Sequence, residues 1–173
     1  MPRAAEYSAI ESLRNGSRVE IRALRPQDRD DMLAAVGRTS ARSLYRRFFG
    51  VRRHFTEAET AFFLNVDFVN HVALVAVVEE GGRSVIAGGG RFVVSQPEQA
   101  ELAFAIVDEY QGQGIGTLLM RHLTAIAREA GLQELVADVL PENAAMLKVF
   151  EKSGLRVSTK RESGTVHVTM RFG

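Results

Sequence analysis

Residues 101–116 read ELAFAIVDEYQGQGIG: a mostly apolar run headed by the carboxylate of Glu101 and followed by glycines at 112, 114 and 116. From Gly114 to Ala130 the apolar residues fall at 115, 118, 119, 123, 126 and 127, which is the helical period. A strand that passes through a glycine turn into a helix leaves the first backbone N–H groups of that helix without intrahelical partners. They lie at its positive end, and together they form an anion site. Glycine suits such a turn because a side chain would hold phosphate oxygens away from the backbone, and because nest-like dihedrals are open to glycine. An ATP- or GTP-binding P-loop requires a lysine directly after its last glycine, and none follows Gly116. The dinucleotide fingerprint Gly-x-Gly-x-x-Gly is not matched by the Gly-x-Gly-x-Gly found here. Coenzyme A is the remaining pyrophosphate ligand.

Outward from this stretch the chain alternates in texture. Gly131 closes the helix as a C′ residue, Glu134–Val139 reads as a buried strand, and Pro141-Glu142-Asn143 opens a second helix that runs through Phe150 toward Gly154. Arg156–Lys160 and Thr165–Phe172 form a final antiparallel pair around Glu162-Ser163-Gly164. Upstream, the strand Ala100–Val107 follows the loop Gln96-Pro97-Glu98. His71–Val78 and Ser84–Val94 are β-branched runs joined as a hairpin through residues 79–83. Before them, Thr56 with Glu59 makes a capping box, Thr39 or Ser40 caps a helix carrying Leu44, Tyr45, Phe48 and Phe49, and Pro26 with Asp28 opens a helix to about Arg38. Val19, Ile21 and Ala23 alternate with charged residues as a first strand. Residues 1–16, ending in the turn pair Asn15-Gly16, are expected to form an N-terminal extension to one domain at 17–173. The order β-α-α-β-β-β-α-β-α-β-β predicts an α+β domain with a mixed, mostly antiparallel sheet.

The composition narrows the choice of function. The chain has 22 basic and 21 acidic residues, mixed along its length, which gives no argument for nucleic acid or an anionic membrane. It has no cysteine, so disulfides, thiolate metal sites and a cysteine nucleophile are excluded. No apolar run is long enough for a signal peptide or a membrane span, and the expected location is cytoplasmic. His54, His71, His122 and His167 are scattered without ligand spacing, so no metal is expected.

Residues 17–172 resemble the GNAT superfamily of acetyl-CoA-dependent N-acetyltransferases. The family signature, Gln/Arg-x-x-Gly-x-Gly/Ala between a strand and a helix, is matched by Gln111, Gly114 and Gly116. The segment from Asn143 to Leu155 resembles the family's usual last helix and its approach. The resemblance implies a GNAT-like sheet of six to seven strands flanked by about four helices, with acetyl-CoA as cosubstrate. It places the pyrophosphate on the backbone of Gln111, Gly112, Gln113, Gly114, Ile115, Gly116 and Thr117. The pantetheine arm is expected to pair with the main chain of Ile106 and Val107 and to contact Asn143. Within the family, the stretch Ser43-Leu-Tyr-Arg-Arg-Phe-Phe-Gly50 is similar to a segment of the Pat-type bacterial protein lysine acetyltransferases, where the first helices border the acceptor site.

Acetyl transfer needs an uncharged amine, whereas a lysine ammonium with a pKa near 10.4 is almost wholly protonated at neutral pH. A general base is therefore useful, and Glu101 resembles the catalytic glutamate of the family's lysine acetyltransferases. A backbone N–H of the same strand would stabilise the developing oxyanion. The helical tyrosine with which many members protonate the leaving thiolate is replaced by Phe150, which has no proton to give. The resemblance implies a protein lysine acceptor such as that of an AMP-forming acyl-CoA synthetase. A small-molecule amine and a non-catalytic acyl-CoA-binding sensor are the alternatives, because acceptor pockets are formed by variable loops.

Overall fold

The computed structural model describes residues 6–37 and 66–173. Eight strands form one sheet: β1 (Ser8–Ser12), β2 (Arg18–Ala23), β3 (His71–Glu80), β4 (Arg83–Gln96), β5 (Gln99–Ile106), β6 (Glu134–Val139), β7 (Arg156–Glu162) and β8 (Thr165–Arg171). Their spatial order is β1-β2-β3-β4-β5-β6-β8-β7. Three helices accompany them among the described residues: α1 (Arg29–Gly37), α2 (Ile115–Glu129) and α3 (Ala144–Glu151). The helices expected around residues 39–50 and 56–64 lie outside the described residues.

Seven of the eight strands match the expected runs, and β1 is the difference. The stretch 1–16 reads as an extension, yet Ser8–Ser12 pairs antiparallel with β2 from Ser8↔Arg22 to Ser12↔Arg18. None of its five side chains is fully buried, and Ile10 is 52% exposed. Such a strand is held by ladder hydrogen bonds, so it leaves little hydrophobic period in the sequence. The turn that follows brings Leu13 into the core.

Alternation along the strands divides the sheet into two faces. On one face, Leu74, Phe92, Leu102, Phe104, Leu135 and Met170 meet α2 and α3 in the main core. Helix α2 buries Ile115, Leu118, Leu119, Leu123, Ile126 and Ala127, a stripe at helical spacing. It sits close to the sheet because Gly90 has no side chain. A Cβ there would come within 2.8 Å of the Phe104 ring and 3.0 Å of Leu123. The helix ends in a Schellman arrangement, with Leu132 N–H donating to Ala127 O and Gly131 N–H to Arg128 O. On the other face, α1 covers a smaller cluster of Leu24, Ala73, Val75 and Ile86. Asp28, in the 3-10 turn that precedes α1, is buried and accepts two hydrogen bonds from Arg22, at 2.8 and 2.9 Å, and one from Arg25 N–H at 2.7 Å. Burial alone would raise its pKa, but the bonds from Arg22 and Arg25 outweigh it and hold the carboxyl below the usual range.

All neighbouring strands run antiparallel except β5 and β6. Those two are parallel, as the crossover through α2 requires, and they pair over three residues only: Gln99↔Glu134, Ala100↔Leu135 and Glu101↔Val136. No helix among the described residues is long and apolar enough to cross a membrane.

Candidate active site

Beyond Glu101 and Val136 the strands β5 and β6 part. The gap is a slot lined by residues 102–104 of β5, residues 137–140 of β6 and its continuation, and Asn143, Met146 and Phe150. A cleft of about 450 Å³ adjoins the slot, sharing Asn143 and Met146 with it. One wall of the cleft is the glycine turn with the start of α2, and the other is α3. This volume lies within the usual range for small-molecule sites.

The turn has the expected form. Gly114 is the N-cap of α2 at φ +96°, a left-handed conformation that residues with a Cβ resist. It provides no side-chain cap, and the first helical hydrogen bond is Leu118 N–H to Gly114 O. The N–H groups of Ile115, Gly116 and Thr117 are therefore left without intrahelical acceptors beside the cleft. Gln111, Gly112, Gly114, Ile115, Gly116 and Thr117 all line it. Gln113 instead faces the N-terminal hairpin, and its carbonyl accepts from Arg14 N–H at 3.1 Å. Gln111 reaches back with its side-chain amide to Ile106 O and Asp108 Oδ1, both at 3.3 Å, and so closes the turn on the end of β5.

The two residues expected to pair with a pantetheine arm differ in availability. Ile106 lines the cleft. Val107 is only 1% exposed, its N–H donates to Ala87 O across the sheet, and its carbonyl accepts from Tyr110 N–H. Strand alternation then turns the main chain of Ile106 toward the gap and that of Val107 away from it. Asn143 caps α3, accepting from Met146 N–H at 3.2 Å, which leaves its side-chain NH₂ as the donor it can offer.

Glu101 stands at the fork itself, half-buried, in register with Val93 on one side and Val136 on the other. Alternation puts it on the sheet face opposite α2. The same face carries His71, whose Nε2 accepts from Arg91 at 2.9 Å. Burial, reinforced by the charge of Arg91, pushes the His71 imidazole down to about 4, so it is neutral at pH 7. Burial likewise lowers Arg91 to about 10, and it stays cationic at neutral pH. On the far side of the gap, His167 Nδ1–H donates to Asp138 Oδ1 at 2.8 Å, and Asp138 lines the slot. Phe150, 1% exposed, packs against Phe104 with ring centroids 5.8 Å apart on the α2 side.

Residues 18–156 match the sequence model of the family described as Acetyltransferase (GNAT) domain. The chain belongs to the GNAT acetyltransferase family. It is 35% identical over 144 residues to Acetyltransferase Pat of Mycolicibacterium smegmatis, covering 82% of this chain and 42% of that protein. It is 34% identical over 138 residues to Acetyltransferase PA5475 of Pseudomonas aeruginosa, covering 79% of this chain and 74% of that protein. Less than half the length of Pat is thus represented here. Among solved structures, the GNAT domain of S. lividans PAT superposes with a TM-score of 0.83 at 30% identity, covering 95% of this chain and 97% of that one. A GNAT fold with 21% identity, yncA from Salmonella typhimurium, solved with acetyl-CoA, has a TM-score of 0.65 and covers 89% of this chain and 92% of its own.

Three features of this GNAT domain escape a reading of the sequence. Arg14 lines the cleft although it lies about a hundred residues from the signature turn. Arg91 and His71 come from different strands and meet only in the sheet. The Asp138–His167 pair had one local signal, a single acidic residue inside the otherwise apolar run from Leu135 to Val139.

Proposed function

We propose that this chain moves the acetyl group of acetyl-CoA to an amine, with coenzyme A held along the glycine turn and Glu101 as general base. The observation that carries this reading is the fork after Glu101 and Val136, which opens a slot into the cleft beside the uncapped start of α2. In this reading the N–H groups of Ile115, Gly116 and Thr117, with the backbone of residues 111–114, face the pyrophosphate. Ile106 offers the pantetheine arm its main chain, as an added strand would use it, and Asn143 offers an amide donor. The bound thioester supplies an activated acyl group, and the rest of the chemistry is proton handling and placement.

An amine that arrives as an ammonium loses two protons in becoming an amide. One passes to the departing sulfur and one to solvent. Glu101, at the mouth of the slot and on the face away from α2, takes a proton from the incoming nitrogen directly or through a water. A main-chain N–H of β5 stabilises charge on the acetyl oxygen. Phe150 has no part in proton transfer, and its buried ring shapes the slot.

The acceptor in this proposal is a protein lysine, such as that of an AMP-forming acyl-CoA synthetase. The supporting observations are the similarity to Acetyltransferase Pat and the Ser43–Gly50 resemblance described above. The test is transfer from labelled acetyl-CoA into a panel of cell proteins and, in parallel, small amines. Label in protein lysines supports the proposal. Label only in small amines replaces the acceptor, and binding of acetyl-CoA with no transfer at all indicates a sensor.

A further inference from the structure

We propose that Arg14, in the turn between β1 and β2, binds the pyrophosphate of coenzyme A, so that the N-terminal hairpin is part of the cosubstrate site. The inference rests on the acetyl-CoA reading above. Arg14 is joined to the signature turn twice: its backbone N–H donates to Gln113 O at 3.1 Å, and its Nη1 donates to Gly112 O at 3.3 Å. The side chain lies over the turn, with Nε 3.6 Å from the point where a Cβ on Gly114 would stand. It lines the cleft together with Gly112, Gly114 and Gly116. A guanidinium has five N–H donors in a planar fork, and with one engaged at Gly112 the others are available to an anion.

The hairpin around Arg14 is fixed from both ends, which lowers the ordering cost of such a contact. At its turn, Leu13 is buried, Leu13 N–H donates to Ser17 O, and Ser17 N–H donates to Asn15 Oδ1. At the start of β1, Tyr7 is hydrogen-bonded to His122 of α2. Glu11 accepts from His122 Nε2 at 2.5 Å and from Arg121 at 2.8 Å. The bonds of Tyr7 and Glu11 tie the hairpin to α2, those of Leu13 and Ser17 hold its turn in shape, and Arg14 N–H ties that turn to Gln113 O. Arg14 therefore keeps its place relative to the uncapped N–H groups.

Charge agrees with this assignment. Among the described residues, the charged ones lining the cleft are Arg14, Lys148, Lys152 and Glu142, three cations against one anion. The lysines are one turn apart, Lys148 on α3 and Lys152 at its C-cap, on the wall facing the glycine turn, whereas Arg14 touches the turn itself. That contact assigns Arg14 to the pyrophosphate and not to the 3′-phosphate of the ribose.

The assignment is tested by calorimetry with coenzyme A and with 3′-dephospho-coenzyme A, on the unaltered protein, Arg14→Ala and Arg14→Lys. Arg14 is exposed, and thermal melts without ligand should coincide for all three. Arg14→Ala should weaken both nucleotides by the same factor of about ten, as expected for one charge-assisted contact at a solvent-facing rim. Arg14→Lys should recover part of the loss. Unchanged affinity of a folded Arg14→Ala for both nucleotides overturns the inference while leaving the acetyl-CoA reading intact. A loss seen with coenzyme A and absent with the dephospho form also overturns it, by placing Arg14 at the 3′-phosphate. An unaltered protein that binds neither nucleotide overturns the acetyl-CoA reading and this inference together.

Discussion

The two faces of the sheet at the β5–β6 fork differ in kind. Under α2 and α3 the residues beside the gap are Leu102, Phe104, Ala137, Val139 and Phe150, packed into the main core. On the opposite face, one residue along each strand, Glu101 and Asp138 flank the gap, with His167 of β8 bonded to Asp138 and the Arg91–His71 pair on the neighbouring strands β4 and β3. A single residue step separates a wall that can only pack from one that can hold and move protons. The lesson is that one strand serves both purposes because its side chains alternate. The fork then leaves both faces open to the same slot.

The sharpest way to break this contrast is at Glu101. Replacing it with glutamine should lower kcat/KM by roughly two to four decades at neutral pH, the usual range for a lost general base. Acetyl-CoA affinity should barely change, because the phosphate contacts lie elsewhere. As pH approaches the pKa of the amine, the variant should recover more of its rate than the unaltered enzyme gains. Rates measured from about pH 6 to pH 10 that coincide for the two proteins would remove Glu101 from the mechanism.

On the apolar face the expected effect is on stability. Phe104→Ala deletes a ring that contacts Phe150 and lies over Gly90, and it should cost about 3 to 5 kcal/mol in urea unfolding. A cost below about 1 kcal/mol would mean that this side of the fork is loosely packed.

The polar face should also govern stability in mild acid. His71 is neutral in the fold with a pKa of about 4, against 6.5 in an unfolded chain. Between those values the unfolded chain binds the extra proton, so stability is full above about pH 6.5 and falls as pH drops through about 4. The loss attributable to His71 is on the order of 3 kcal/mol. His71→Gln, which keeps an acceptor for Arg91, should flatten that interval in urea melts taken from pH 4 to pH 7. An identical slope in the variant would assign the dependence to other groups.

The smallest effect compares two glycines of the turn. Gly114 is at φ +96°, so Gly114→Ala strains the turn and should weaken acetyl-CoA binding by about ten-fold, the equivalent of one to two kcal/mol of backbone strain. At Gly116 a Cβ would meet, among the described residues, Met146 and Val149 at 3.7 Å, an ordinary contact, and Gly116→Ala should leave the melting temperature near that of the unaltered protein. Calorimetry and melts on the pair separate backbone strain from blocked approach.

Much of this arrangement is legible in the chain itself. The period of 115–127 and the glycines at 112, 114 and 131 define α2 and its ends. The alternating or β-branched runs define seven strands, and the lone carboxylate at 101 marks the polar side of β5. These signals are local: helix period, strand alternation and turn chemistry are written within a few residues of one another. Strand β1 is not legible in the sequence, because an edge strand with no fully buried side chain leaves no such period.

What only the tertiary structure decided is where β5 and β6 part and what faces the gap. The fork depends on how far two strands pair when they are about thirty residues apart and joined through α2, and no local pattern encodes that distance. The same holds for Arg14 over the glycine turn, Asp138 beside His167, and the engagement of Val107 with Ala87. Each arises from register between strands or from the docking of a hairpin on a helix. Those contacts are fixed by packing of the whole sheet, in which every side chain inherits its neighbours from the other strands.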